Sequence, residues 1–159
     1  MNAPEMLLLP DTQAMPDLRR MPIQKVGVKG LRYPIAIRGR DGDAQSTIAT
    51  FTMTVALPHD VKGTHMSRFV EILERPRPAF DLAGFRAMLD AMLVRLDAAD
   101  GKIEMRFPYF VRKAAPMSGV ESLLDYDATW TAERRDGRTR LAVGITAPEG
   151  AAMASMDQT

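Results

Sequence analysis

The sequence predicts an α+β domain: an antiparallel sheet with two helices packed on one of its faces, in the order ββααβββ. Two observations carry this prediction. Apolar residues alternate with a period of two in two segments before residue 58 and in three segments after residue 102, as half-buried strands require. Between them the apolar spacing changes to i, i+3, i+4, which is typical of helices. No parallel crossover is needed, so an antiparallel sheet follows.

The composition is that of an ordinary globular domain. The chain has 159 residues, of which 46% are hydrophobic and 26% charged, and this excludes collagen, a long coiled coil and global disorder. The net charge of +1 predicts no general attraction to nucleic acid or to a membrane, so a bound anion must meet a local patch. Cysteine is absent, which excludes disulfides and thiolate metal sites and is consistent with a cytoplasmic location.

The chain divides into three parts. Four prolines punctuate residues 1–22, so we expect an irregular N-terminal arm there. Residues 23–148 contain all the periodic segments and form the predicted domain. After Pro148 neither period continues, and we expect residues 149–159 to be a disordered tail.

The first two strands are predicted at residues 31–38 and 46–57, joined by a turn at residues 40–43. Pro34 cannot donate to a ladder, so its strand should lie at an edge or carry a bulge. The second strand should bury one alternate set of side chains: Ala49, Phe51, Met53, Val55 and Leu57.

Two helices follow. The first should begin near Thr64, whose hydroxyl suits an N-cap, and should end at Pro76 and Pro78. The second should begin after Asp81, another capping residue, and end near Gly101 in a left-handed C-terminal position. The apolar stripe of the first helix comprises Met66, Phe69, Val70 and Leu73, and that of the second comprises Phe85, Met88, Leu89, Met92, Leu93 and Leu96.

Three strands complete the pattern. Pro108 again indicates a bulge or an edge, and the turn signal at residues 135–138 predicts a hairpin between the last two strands. Trp130 is predicted to be a core residue. The alternating residues are Ile103, Met105, Phe107 and Tyr109, then Leu124, Tyr126, Ala128, Trp130 and Ala132, then Leu141, Val143 and Ile145.

The segment at residues 62–68 joins a strand to a helix and contains the parts of a phosphate site. A helix N-terminus leaves backbone N–H groups unpaired and carries partial positive charge. Gly63 allows close backbone approach, and cations and hydroxyls surround it. A normally capped helix with solvated charges is the alternative. The candidate residues are Lys62, Thr64, His65, Ser67 and Arg68.

The sequence shows no complete pattern for a metal site or for a catalytic residue. His59, Asp60 and His65 could contribute to a Zn, Mn or Fe site, but they match no helical ligand spacing and a third firm ligand is not obvious, so no metal ligand is assigned. No serine lies in a nucleophile-elbow sequence, so no catalytic residue is assigned either. Glu71 is explained by an i, i+4 pair with Arg75, and Ser118 by turn chemistry.

Three segments, in order, resemble the type IB GTP cyclohydrolases. They are MPIQKVGVKGLRYPI at residues 21–35, KGTHMSRFVEIL at 62–73, and SG at 118–119 followed by SLLDY at 122–126. The resemblance extends over roughly residues 15–148. It implies one module of a tunnelling fold, in which antiparallel sheets and helices assemble into barrels, and a homo-oligomer that is a tetramer in the family.

The resemblance also implies an activity. The family opens the imidazole ring of GTP with water, releases formate and yields 7,8-dihydroneopterin triphosphate, the entry to folate biosynthesis. A divalent metal (Zn, Mn or Fe) activates the water by lowering its pKa. A triphosphate substrate would account for the cationic side chains within residues 62–68.

The chain departs from the family at its C-terminal end. The match stops at residues 146–148, whereas family members continue into a Cys-Pro-Cys-Ser segment whose first cysteine would fall near Met153. A metal-binding His and further Glu residues follow in the family. We therefore expect a C-terminally truncated copy that lacks the family's metal ligands. The alternative function is a catalytically inactive tunnelling-fold remnant that binds a purine nucleotide or a longer homologue.

Overall fold

A computed structural model describes residues 23–39, 41–59 and 66–147, and these form a five-stranded antiparallel sheet with two helices. The strands lie in sequence order, and the helices come between the second and third, which confirms the predicted ββααβββ order. The arm and the tail predicted at the two ends lie outside the described residues. The elements are β1 Ile23–Arg38, β2 Ala44–Pro58, α1 Met66–Glu74, α2 Leu82–Arg95, β3 Asp100–Ala114, β4 Glu121–Arg135 and β5 Arg138–Thr146.

The hydrophobic core lies between one face of the sheet and both helices. Every alternate residue predicted to be buried on β2 is at most 4% exposed, as is each member of the α2 stripe except Leu93 at 5%. Trp130 packs edge-on against Phe85 and Phe107, with ring centroids 5.8 Å apart in each case. This confirms its prediction as a core residue. We call the opposite side of the sheet the helix-free face.

Pro34 lies on an edge strand, as predicted, because β1 pairs only with β2 among the strands. Phe80, which follows α1, donates to the carbonyl of Ala36 at 2.8 Å and accepts from the amide of Arg38 at 2.9 Å. The backbone groups of even-numbered residues in this part of β1 therefore point away from β2, and Pro34 costs the ladder no bond. The bulge of β1 lies elsewhere, between Val28 and Leu31.

Pro108 occupies a central strand, and β3 pairs with β4 in unbroken register around it, so neither the predicted bulge nor the predicted edge is correct. The β2–β3 ladder instead stops at Thr50 and Arg106, just before the proline, which has no N–H to donate toward β2. Side chains then bridge the gap. Thr47 donates to the Pro108 carbonyl at 2.8 Å, and the Gln45 amide bonds both the N–H and the C=O of Phe110.

The first helix buries only part of the predicted stripe, together with one residue outside it. Phe69, Ile72 and Leu73 are buried, whereas Met66 is 65% exposed at the N-terminal end. Because the helix is short, its first residue extends beyond the core. Glu71 bonds Arg95 of α2 at 2.9 Å rather than Arg75, so the i, i+4 pair is wrong and the two helices are linked instead.

The second helix begins as predicted. The Asp81 carboxylate accepts from the amide of Gly84 at 2.7 Å, an N-cap bond. Its C-terminal end differs from the prediction, because Asp97 takes the left-handed conformation (φ 51°) and Gly101 belongs to β3. A Cβ at Gly101 would lie 2.8 Å from both the Thr54 carbonyl oxygen and a Leu93 methyl group. This glycine therefore lets α2 pack closely on the sheet.

The last hairpin has the predicted turn, with Asp136 (φ 53°) and Gly137 (φ 79°) both in the left-handed region that type I′ turns require. The helices contact β1, β3 and β4, and β5 lies beyond them at the sheet edge. Val143 and Ile145 are therefore about half exposed although they point to the helix side, at 50% and 53%.

Candidate functional site

The connection between β2 and α1 holds the five residues predicted to bind a phosphate. The described part of β2 and its turn end at His59, and the described part of α1 begins at Met66. Lys62, Thr64 and His65 lie outside the described residues. Ser67 and Arg68 are described, and both lie in the first turn of α1.

The first turn of α1 suits an anion. Ser67 is exposed and Arg68 is half-buried. The turn contains no acidic residue, so no carboxylate of the turn itself offsets the partial positive charge of the helix N-terminus. Within the described ranges, Arg68 forms no ion pair and Ser67 no side-chain hydrogen bond. Both side chains can therefore donate to a ligand.

Contacts at the C-terminal end of α1 hold the helix in place. The Arg77 guanidinium donates to the carbonyls of Ile72 and Arg75, at 3.2 Å for the latter. It also lies 5.1 Å from the ring centroid of Phe80. Burial, with a smaller contribution from the nearby Arg75 charge, lowers the pKa of Arg77 from its ordinary value. These bonds satisfy carbonyl groups that the end of the helix leaves unpaired.

A pocket of about 360 Å³ lies beside this segment, between the edge of the sheet and the α1–α2 linker. Tyr33 and Ser46 line it from the sheet, and Glu74, Arg75 and Arg77 line it from the linker. Sequence reasoning missed this pocket because the linker prolines indicated only the end of a helix. The Arg-Pro-Arg-Pro spacing of residues 75–78 was the available signal.

A second concavity, of about 510 Å³, lies on the helix-free face where β2 and β3 separate. Arg32 and Arg106 line it together with Thr50 and Asp127. We call it the Arg32–Arg106 groove. Sequence reasoning missed it because its two arginines come from strands that are distant in sequence, and only the register places them on either side of Thr50.

The described residues do not fit a resident metal ion. Within residues 23–39, 41–59 and 66–147, no group of three or more His, Asp or Glu side chains is close enough to hold one. The chain has no cysteine to add a thiolate. His59 is exposed at the end of β2, and its predicted companions Asp60 and His65 lie outside the described part. Among these same residues, no helix is long and apolar enough to cross a membrane.

Comparison with known proteins assigns the family. The family model described as "Type I GTP cyclohydrolase folE2" matches residues 9–152, which is most of the chain. The chain belongs to this FolE2 family. The FolE2 match extends over every described strand and helix, so the predicted resemblance is confirmed and the fold is a tunnelling-fold module.

Curated FolE2 relatives support the same family assignment. The chain is 55% identical to GTP cyclohydrolase FolE2 1 of Dechloromonas aromatica over 149 residues, which is 93% of this chain and 56% of the relative. It is 55% identical to FolE2 2 of Cupriavidus metallidurans and 52% identical to FolE2 of Paraburkholderia xenovorans, over 89% of this chain and 52% and 53% of those relatives. The chain thus spans about half the length of the curated relatives it matches.

Proposed function

We propose that this chain provides GTP cyclohydrolase activity, converting GTP and water into formate and 7,8-dihydroneopterin triphosphate for folate biosynthesis. The observation that carries the proposal is the identity of 50–55% to FolE2 enzymes over about nine-tenths of the chain. Identity at this level extends through the sheet, both helices and the connection between them. The described architecture is that of a tunnelling-fold module.

The β2–α1 connection is the proposed binding site for the triphosphate of GTP. Ser67 and Arg68 would donate to its oxygens from the first turn of α1, and Lys62, Thr64 and His65 would contribute from the connection itself. Free backbone N–H groups at a helix N-terminus favour bound phosphate. The absence of an acidic residue in the first turn of α1 supports this assignment.

The FolE2 family is metal-dependent, and we propose Zn, Mn or Fe as the metal of the complete activity. The described residues supply no donor set for it, as shown above. We therefore derive no chemical step through a metal from this chain. The proposed contribution of the chain's own residues is to bind and orient the substrate.

The test is formate release from GTP by the purified chain, with Mn or Zn added, together with GTP affinity measured by calorimetry. Arg68→Gln should weaken GTP binding by about tenfold, because it removes a charge-assisted hydrogen bond. The control is Arg86→Gln, which removes the same charge from an exposed position on α2 and should leave GTP affinity unchanged. A chain that neither releases formate nor binds GTP would contradict the proposal.

A second hypothesis is that the chain is a non-catalytic module that binds a purine nucleotide or a longer homologue. The lack of a cysteine thiolate among the residues of this chain favours it. GTP binding without formate release would support this reading over catalysis by the chain alone. Formate release by the chain alone would exclude it.

We also propose that the chain forms a homo-oligomer. Between Ile23 and Ile35, within the described residues, the outer edge of β1 pairs with no other strand, and β5 forms the opposite edge. Open edges of this kind favour pairing with another sheet. The half-exposed Val143 and Ile145 would become buried in such a contact. Light scattering that shows a monomer at all concentrations would contradict this.

A cytoplasmic location stays a prediction.

A further inference from the structure

The helix-free face of the sheet carries cations on β1 and acidic residues on β4. β1 contains four cations and no acidic residue, and the register places three of them, Lys25, Arg32 and Arg38, on this face. The acidic residues of β4 lie on the same face: Glu121, Asp125, Asp127 and Glu133. β3 and β5 add further cations to this face, among them Arg106, Arg112, Arg138 and Arg140. β2 carries no charged residue, so the part of the face formed by β1 and β2 has positive charge alone.

The Arg32–Arg106 groove lies at the boundary of this positive region. Arg32 is paired with Thr50 across β1–β2, and Thr50 is paired with Arg106 across β2–β3. One strand separates the two arginines, so their Cα atoms lie about 10 Å apart. Guanidinium groups on stems of this length can reach one small anion above Thr50 from both sides.

Both arginines are available to a ligand. Among the described residues, neither Arg32 nor Arg106 forms an ion pair or a side-chain hydrogen bond. The hydroxyls of Ser46 and Thr50 line the same groove and likewise lack a partner within the described part of the chain. Asp127 is the acidic side chain of this lining, and it opposes anion binding from the β4 side.

The β2–β3 separation gives the groove its depth. Because Pro108 ends the ladder at Thr50 and Arg106, the two strands diverge at this point. Thr47 and Gln45 hold the strands apart at a fixed spacing through bonds to the Pro108 and Phe110 backbone. The two arginines therefore flank a built concavity rather than a flat sheet surface.

We propose that the Arg32–Arg106 groove binds a phosphate-type oxyanion, at a site separate from the β2–α1 connection. Thr50 precedes Pro58 by eight residues, which places the groove about 26 Å along β2 from the end where α1 follows. Two guanidinium donors and the Thr50 hydroxyl between them match the tetrahedral oxygens of phosphate. The proposal does not depend on the GTP cyclohydrolase activity.

The test is a titration of the full chain with inorganic phosphate, followed by amide chemical shifts at constant ionic strength. We expect saturable shifts at Arg32, Thr50 and Arg106. Arg32→Gln and Arg106→Gln should each weaken binding about tenfold, and Asp127→Asn should strengthen it several-fold by removing a repulsive charge. The control is Arg138→Gln, which removes an exposed cation of β5 outside the groove and should change the affinity less than about twofold.

All four substitutions are at exposed positions, and an unchanged melting temperature will show that each variant is folded. Shifts at the groove with the expected order of affinities support the proposal. Three results would overturn it: no saturable shift at the groove, shifts confined to Ser67 and Arg68, or equal weakening by Arg138→Gln and Arg106→Gln. The last result would show diffuse attraction rather than a site. None of these outcomes depends on formate release, so the two proposals fail separately.

Discussion

At the scale of single residues, two prolines in strands have different consequences. Pro34 lies where the even-numbered backbone groups of β1 point away from β2, so it removes no ladder bond. Pro108 faces β2, and the ladder stops beside it. The residue type alone predicted a bulge or an edge in both cases. When the missing N–H faces away from the neighbouring strand, as at Pro34, the ladder is unperturbed. When it faces that strand, as at Pro108, the ladder ends and a groove forms.

Gly101 shows the same dependence on surroundings. We expect Gly101→Ala to destabilise the fold by about 1–3 kcal/mol, because the added methyl group overpacks the contact between α2 and the sheet. The Thr54 carbonyl oxygen, 2.8 Å from the new Cβ, belongs to the backbone and cannot move aside cheaply. Urea unfolding measures the change. The control is Gly84→Ala, whose Cβ would meet only a side-chain oxygen at 3.2 Å. Equal effects of the two substitutions would contradict the packing argument.

At the scale of elements, α1 is a short helix held at its C-terminal end and at its middle by different contacts. Its C-terminal carbonyls accept from Arg77, and its middle is linked to α2 by Glu71 and Arg95. Three buried side chains face the core. The N-terminal turn, with Ser67 and Arg68, is thereby held toward the β2–α1 connection.

We expect Arg77→Met to destabilise the protein by about 1–3 kcal/mol, because it leaves helix-end carbonyls without a donor while keeping an apolar stem of similar length. Chemical denaturation measures this change. The matched control is Arg75→Met, which removes the same charge from an exposed neighbouring position and should cost less than about 0.5 kcal/mol. If the GTP site is at the N-terminus of α1, Arg77→Met should also weaken GTP binding. A destabilisation by Arg75→Met equal to that by Arg77→Met would refute the capping role.

At the scale of the whole molecule, the sheet is covered unevenly. The helices bury the alternate residues of β2 and β3, whereas β5 lies beyond them with Val143 and Ile145 half exposed. The three inner strands, β2, β3 and β4, pair on both sides, and the edge strands pair mainly on one. Stability should therefore be greatest in the centre of the sheet.

Amide hydrogen exchange tests this directly. In the monomeric chain we expect the slowest exchange at Phe51, Met53 and Ile103. Exchange at Ala142 and Gly144, which lie opposite Thr131 and Thr129 of β4, should be faster by at least about a hundredfold, because local opening of an edge strand costs less than global unfolding. Measuring the exchange rates at several protein concentrations distinguishes the monomer from an oligomer. Protection of β5 that rises with protein concentration would indicate assembly through that edge, whereas uniform protection in a dilute monomer would contradict the uneven core.

The sequence by itself determined the element order, the buried alternation of β2, the Asp81 cap, the turns of the β1–β2 and β4–β5 hairpins, and the family. Each depends on periodicity, on local backbone chemistry or on motifs that are contiguous in the chain. Only the tertiary structure decided what Pro108 does, why residue 101 is glycine, which partner Glu71 takes, and that Arg32 and Arg106 share one groove. These depend on which strand lies beside which, and the register that sets those neighbours arises from pairing between residues far apart in the chain.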